Sequence, residues 1–182
     1  MSIISANFRI KINQELFRVK FTKYLCFVEI NDLVKTVELA IVEMGLSKEE
    51  SQADEQGQWI LLKNETPIYI DAWDDKQSTP WNYFIFEQDK TVFQITVPFC
   101  YGPTVKRAEF LEELLVVNLN LHLGKFSYNT RDNVVVLSYR VPGSAFKPDS
   151  LGPTIDALAY YAEMAYHVLK DEFNLKRVVE GN

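Results

Sequence analysis

Hydrophobic residues recur at helical spacing between residues 101 and 121, and they predict a helix there. They fall on more than one side of that helix, which is typical of a helix buried between two layers. We therefore expect little of this helix to face water. The apolar residues are Phe110, Leu111, Leu114, Leu115, Val117, Leu119 and Leu121.

An alternating pattern follows this helix and predicts a pair of strands. Residues 124–128 and 134–141 are the two strands, and the polar residues 129–133 form the turn between them. The second strand has two distinct sides. One side carries Val135, Leu137, Tyr139 and Val141, and the other carries Val134, Val136, Ser138 and Arg140.

Four more strands are predicted in the middle of the chain, as two hairpins with short polar turns. They are residues 59–63, 67–73, 82–88 and 91–99. The loop of residues 74–80 separates the two hairpins. Pro67 and Pro98 are expected at strand ends, where the missing amide donor costs least.

Two further helices are predicted, one before and one after these elements in the chain. The first begins at Asn31 and Asp32 and ends at Gly45, a residue that favours the left-handed conformation after a helix. Its buried side consists of Leu33, Val34, Val37, Ala40, Ile41 and Met44. The last helix begins near Pro153, and its buried side consists of Ile155, Leu158, Ala159, Ala162, Tyr166, Leu169 and Phe173. The acidic residues 47–58 predict a loop, with a short frayed helix as the alternative.

These elements predict an α+β fold, with an antiparallel sheet and helices mainly on one face, in the order α-β-β-β-β-α-β-β-α. We expect one domain over residues 31–176 and a short tail over residues 177–182. Residues 1–30 are either an N-terminal extension or an extra hairpin, because two alternating segments lie within them.

The composition narrows the class of function. A chain of 182 residues that is 47% hydrophobic has the size of one globular domain. Its formal net charge of −6 argues against binding to nucleic acid or to an anionic membrane, because both need clustered Lys and Arg. No segment has the pattern of a transmembrane helix or a signal peptide, so we expect a cytoplasmic protein.

The two cysteines, Cys26 and Cys100, lie in apolar segments, where an unpaired cysteine behaves as a small buried hydrophobe. A disulfide between them stays open as an alternative. A cytoplasmic location favours reduced thiols.

No catalytic motif is present, and we expect neither a metal nor a cofactor. His167 lies four residues from both Glu163 and Asp171, so the three side chains share one helix face. A metal site would need ligands from a second segment as well, and the sequence shows no such segment. His122 lies at a helix end, where a structural role is expected. The acidic residues Asp71, Asp74 and Asp75 lack the spacing of a calcium loop.

The segment RAEFLEELLVVNLNLHLGKFSYNTRDNVVVLSYRVPG, followed by DALAYYAEMAYHVLKDEF, resembles the YbjN-like family, described as bacterial sensory transduction regulators. The matching positions are Asn118, Leu119, Asn120, Gly124, Lys125, Phe126, Val135, Val136, Leu137 and Tyr139. That family is similar in fold to type III secretion chaperones. The resemblance implies a non-enzymatic protein that binds other proteins and forms homodimers, with no catalytic residues to carry over.

More apolar and aromatic residues are present than one core requires, since aromatic residues make up 13% of the chain. We expect a surface for an unknown protein partner or for a second copy. Its residues are Leu111, Leu115, Tyr160, Tyr161 and Met164. The alternative is a small-molecule binding or enzymatic domain with an aromatic pocket lined by Trp59, Trp73 and Trp81.

Overall fold

A computed structural model describes residues 28–47, 51, 55–63, 66–74 and 91–178. The strands in these residues are β1 (Gln58–Lys63), β2 (Thr66–Asp74), β3 (Thr91–Tyr101), β4 (Lys125–Asn129) and β5 (Val134–Pro142). The helices are α1 (Ile30–Glu43), α2 (Arg107–Asn120) and α3 (Leu151–Phe173), and two short 3-10 turns precede α3. The predicted strand at residues 82–88 and the predicted N-terminal extension or hairpin, apart from its last residues, lie outside the described residues.

The five described strands form one antiparallel sheet in the order β1-β2-β3-β5-β4. β3 lies in the centre and pairs with β2 on one side and β5 on the other. The register places Trp59, Ile70, Ile95 and Tyr139 in one row across four strands. The predicted α+β fold with an antiparallel sheet is therefore confirmed.

The core lies on one face of this sheet. α1 packs on β2, and α3 packs on β3 and β5. The predicted buried sides of both helices are largely confirmed, because Val37 and Ile41 of α1 and Leu158 of α3 have no exposed surface. Each large aliphatic side chain buried in this way contributes about 1.5 to 3 kcal/mol of transfer free energy. Met44 is the exception in α1, because it follows the last helical residue and is exposed.

The expectation that α2 is buried between layers is wrong. Phe110 and Leu114 are its buried residues, whereas Leu115 is 65% exposed and Leu119 is 85% exposed. The reason is the position of the helix, which packs against β4 at one edge of the sheet. A helix at an edge has a neighbour on one side, so its other apolar side stays in water.

Two local predictions also need correction. Pro98 lies inside β3, at a bulge where the register shifts between Pro98 and Cys100, and such an irregularity tolerates a residue without an N–H group. The residue that precedes α1 is Glu29, without a side-chain cap, so Asn31 and Asp32 already belong to the helix.

Candidate protein-binding surface

The largest exposed aliphatic side chains of α2 lie on the side away from β4. Phe110 and Leu114, one turn apart, point into the core, and Leu115 and Leu119 repeat the same four-residue spacing on the outer side. Val116 is also exposed and extends this surface. We call Leu115, Val116 and Leu119 the outer face of α2.

The C-terminal half of α2 is fixed to the edge strand by side-chain hydrogen bonds. Asn118 Nδ2 donates to the Phe126 carbonyl at 3.1 Å, and Asn118 Oδ1 accepts from the Phe126 N–H at 2.7 Å. Lys125 Nζ donates to the carbonyls of Asn118 and Leu121 at the end of the helix, where a cation is favoured. These bonds hold α2 at a fixed position beside β4, so that its outer face is rigid.

The N-terminal end of α2 is fixed through Asn133, which lies in the turn between β4 and β5 with a φ of 55°. Asn133 exchanges hydrogen bonds with the backbone of Gly102, at 2.8 and 3.3 Å. Its Oδ1 also accepts from Tyr128 Oη at 2.8 Å and from Arg107 at 3.4 Å. Arg107 donates in addition to the Pro103 carbonyl at 3.1 Å. Both ends of α2 are thus tied to the β4–β5 hairpin.

α3 contributes a second exposed apolar surface. Tyr160, Met164 and Val168 are exposed, and the rings of Tyr160 and Tyr161 lie 6.1 Å apart. Of the five predicted surface residues, Leu115, Tyr160 and Met164 are thus exposed. Leu111 and Tyr161 are partly buried and pack against the core. Their role in binding stays a prediction.

Exposed apolar residues on α1 and on β1 were not predicted from the sequence. Leu39 and Val42 lie on the outer side of α1, and Ile60 and Leu62 alternate along β1 with the buried Trp59. The unbroken apolar run of residues 59–62 was the available signal, because a strand with apolar residues at every position has an apolar outer side as well.

Two of the three tryptophans of the alternative pocket are described, and they lie on opposite faces of the sheet. Trp59 is 1% exposed and is paired with Ile70 on the core face. Trp73 lies three residues after Ile70 and therefore on the other face, where the Arg140 guanidinium is 5.1 Å from its ring centroid. Trp59 Nε1 is buried, and among the described residues it has no hydrogen-bond partner. The structure does not bring Trp59 and Trp73 together, and Trp81 lies outside the described residues.

The predicted polar face of α3 forms ion pairs. The Glu163 carboxylate contacts His167 Nε2 at 2.8 Å and Arg177 Nη2 at 2.5 Å. The hydrogen bond from Arg177 is the largest of the effects that lower the pKa of Glu163. Within the described part of the chain, no group of three or more His, Cys, Asp or Glu side chains is arranged to hold a metal ion.

Two groups have pKa values that burial raises. Burial raises the pKa of the Cys100 thiol to about 12, and Cys100 is a free cysteine. Burial also raises the pKa of Asp71 on β2. Cys26 and Asp75 lie outside the described residues.

Among the helices that the structure describes, none combines the length and the apolar content needed to span a bilayer.

Solved structures share this arrangement of helices and strands. The ExsC–ExsE complex contains a chain that matches with a TM-score of 0.54 at 13% identity, covering 77% of this chain and 95% of that one. The Yersinia pestis type III secretion chaperone SycH, in complex with a fragment of YscM2, matches with a TM-score of 0.50 at 13% identity, over 72% and 98% of the two chains. This chain has the fold of a type III secretion chaperone. A chain of the HopA1–SchA chaperone–effector complex is similar as well, with a TM-score of 0.51 at 7% identity, over 75% and 96%.

Comparison of the amino-acid sequence, unlike comparison of the structure, found no match. No family model matches it, and no curated protein matches it. At 7 to 13% identity, the likeness to these structures concerns the chaperone fold and not a specific activity. The resemblance to the YbjN-like family stays a prediction.

Proposed function

We propose that this chain is a non-enzymatic protein-interaction module, chaperone-like or regulatory, which binds a segment of another protein and forms homodimers. The outer face of α2 is the observation that carries the proposal. Leu115 and Leu119 are 65% and 85% exposed on a helix that is fixed at both ends. A rigid exposed aliphatic surface is typical of a protein contact, because its burial removes apolar area from water without ordering a flexible loop.

The fold supports the same proposal. The three similar structures are complexes of two proteins, and two of them are described as chaperones with a bound protein. The YbjN-like resemblance also implies a regulator that acts through protein contacts. We assign the self-contact to the outer face of α2, because two antiparallel copies of Leu115, Val116 and Leu119 would pack apolar side chains against each other around a two-fold axis.

Light scattering after size exclusion tests the self-contact on the full chain. We expect a mass of twice 21.1 kDa for the wild type over a range of concentrations. Leu115→Lys should shift this mass to the monomer, because a charged side chain would be buried at the contact. Leu39→Lys on α1 is the matched control, since Leu39 is 64% exposed and Leu115 is 65% exposed. A dimer that survives Leu115→Lys would place the self-contact elsewhere.

Cross-linked capture from the source lysate tests the partner. The tagged full chain and the Leu39→Lys variant should enrich the same protein, and Leu115→Lys should lose it while its circular dichroism spectrum is unchanged. A protein enriched equally by all three would bind another surface. If the wild type is a monomer at every concentration and captures no protein that depends on Leu115, the proposal fails.

A further inference from the structure

The chain reverses direction after α3 and runs back along the helix. Asn174 takes a left-handed conformation with a φ of 50°, and the Leu175 N–H donates to the Lys170 carbonyl at 3.0 Å. Residues 174–178, which we call the C-terminal strap, then cross from α3 to the end of β3. Residues 175–178 belong to no helix and to no strand of the described sheet.

The strap is held at the sheet by its backbone and by one apolar side chain. Leu175 is 7% exposed and belongs to the core, and its carbonyl accepts from Tyr166 Oη at 3.3 Å. The Lys176 carbonyl accepts from the Tyr101 N–H at 2.9 Å. Within the described residues the pairing of β3 with β2 ends at Thr96, and the strap bonds β3 beyond that point, at Tyr101.

The second anchor of the strap is Arg177. Its guanidinium lies 4.1 Å from the centroid of the Tyr166 ring and binds the Glu163 carboxylate. A guanidinium that both stacks on an aromatic ring and pairs with a carboxylate is held in a defined orientation. Leu175 and Arg177 are two residues apart, the spacing at which an extended segment presents side chains to the same surface.

We propose that the surface under the C-terminal strap, at the end of β3 and along Glu163 and Tyr166 of α3, is a peptide-binding site for an extended segment with the pattern Leu-x-Arg, which the strap fills within the same chain. Backbone bonding at a sheet edge, with two side chains that give selectivity, is a known mode of peptide recognition. Release of the strap leaves the five described strands paired with one another and opens the site to a segment of the same chemistry from a partner. The site is distinct from the outer face of α2 and does not depend on the proposed function.

The test uses the full chain and a labelled peptide with the sequence of residues 173–178, FNLKRV. In the wild type, the tethered strap competes at an effective concentration on the order of millimolar, so the peptide should bind weakly. The variant with both Leu175→Ala and Arg177→Ala has a weakened strap. We expect it to bind the peptide at least about tenfold more tightly in fluorescence anisotropy, since the tethered competitor is lost.

The controls separate the two anchors. Lys176→Ala alters an exposed side chain of the strap and should bind like the wild type. A peptide with Ala in place of its Leu or its Arg should lose affinity for the double variant. Adding Glu163→Gln to the double variant should weaken the binding of the original peptide. It should leave the binding of the peptide without Arg unchanged, and the difference isolates the Arg–Glu contact.

Equal binding by the wild type and the folded double variant would overturn the proposal, as would equal binding of the Ala-substituted peptides. Circular dichroism shows whether the double variant is folded. If it is unfolded, Arg177→Ala alone decides the question, because this side chain is 42% exposed and lies outside the core. Tighter peptide binding by Arg177→Ala than by the wild type supports the site, and unchanged binding contradicts it.

Discussion

Gly124 and Leu158 are in contact where the chain passes from α2 to β4. Gly124 has a φ of 72°, and a β-carbon at this position would lie 2.6 Å from Leu158 Cδ2 and 3.2 Å from the Ser138 carbonyl oxygen. Leu158 has no exposed surface. Both the conformation and the space at residue 124 therefore require glycine.

Gly124→Ala should destabilise the protein by more than the conformational strain alone. Gly45→Ala is the matched control, because Gly45 has a φ of 81° and a β-carbon there would have no other atom within 4 Å. Gly45→Ala should cost about 1 to 2 kcal/mol for the left-handed conformation. Gly124→Ala should cost a further 1 to 3 kcal/mol, roughly, because Leu158 must move. Equal losses in urea denaturation would mean that Leu158 accommodates the methyl group.

Asn118 holds both backbone groups of Phe126, so Asn118→Ala should lower the free energy of unfolding by about 1 to 3 kcal/mol. Asn120→Ala is the control, since Asn120 donates to the Val116 carbonyl within its own exposed helix turn. Its loss should cost about 0.5 kcal/mol or less. Chemical denaturation of both variants gives the comparison, and similar losses would mean that Asn118 does not fasten α2 to β4.

Leu114 and Leu115 are neighbours with opposite environments, since Leu114 is buried and Leu115 is exposed. Leu114→Ala should cost about 2 to 5 kcal/mol, because it leaves a cavity in the core. Leu115→Ala should change the stability of the monomer by about 0.5 kcal/mol or less. Denaturation at low protein concentration, where self-association is minimal, makes the comparison. A large loss for Leu115→Ala under these conditions would place its side chain in the core.

Cys100 should be unreactive in the folded protein. Its side chain has no exposed surface, and burial raises its pKa to about 12, so little thiolate forms at pH 8. In a Cys26→Ser background, modification by a thiol reagent should be at least about 100-fold slower in buffer than in denaturant. Fast modification of folded protein would reveal local opening around β3.

Glu163 should contribute to stability only above acidic pH. Arg177 lowers its pKa in the folded state from the usual value of 4.5, so the contribution is present above pH 4.5 and is lost as the pH falls through the folded pKa. Glu163→Gln should therefore be less stable than the wild type at neutral pH, and this deficit should shrink as the pH falls below 4.5. The difference should stay below about 1 kcal/mol, because water screens this exposed pair.

Asp171→Asn, which changes an exposed carboxylate of the same helix, is the control for Glu163→Gln. Thermal or urea denaturation at neutral pH and at several pH values below 4.5 measures the differences. A deficit of Glu163→Gln that does not shrink as the pH falls would show that the carboxylate acts through packing and not through its charge.

The local periodicity of the sequence predicted most of the described elements. The alternation around Val135 and Leu137 gave the β5 strand with its buried side, and the spacing from Ile155 to Phe173 gave the buried side of α3. These features are predictable because the direction of a side chain repeats every two residues in a strand and every 3.6 residues in a helix.

Tertiary contacts decided which apolar residues are buried. The sequence of α2 is apolar on two sides, and only its position at the β4 edge buries Leu114 and exposes Leu115. The pairing register likewise places Trp59 and Trp73 on opposite faces of the sheet, and the return of the chain after α3 brings Arg177 to Glu163. A side chain's direction is local, but its burial depends on which distant segment packs against it.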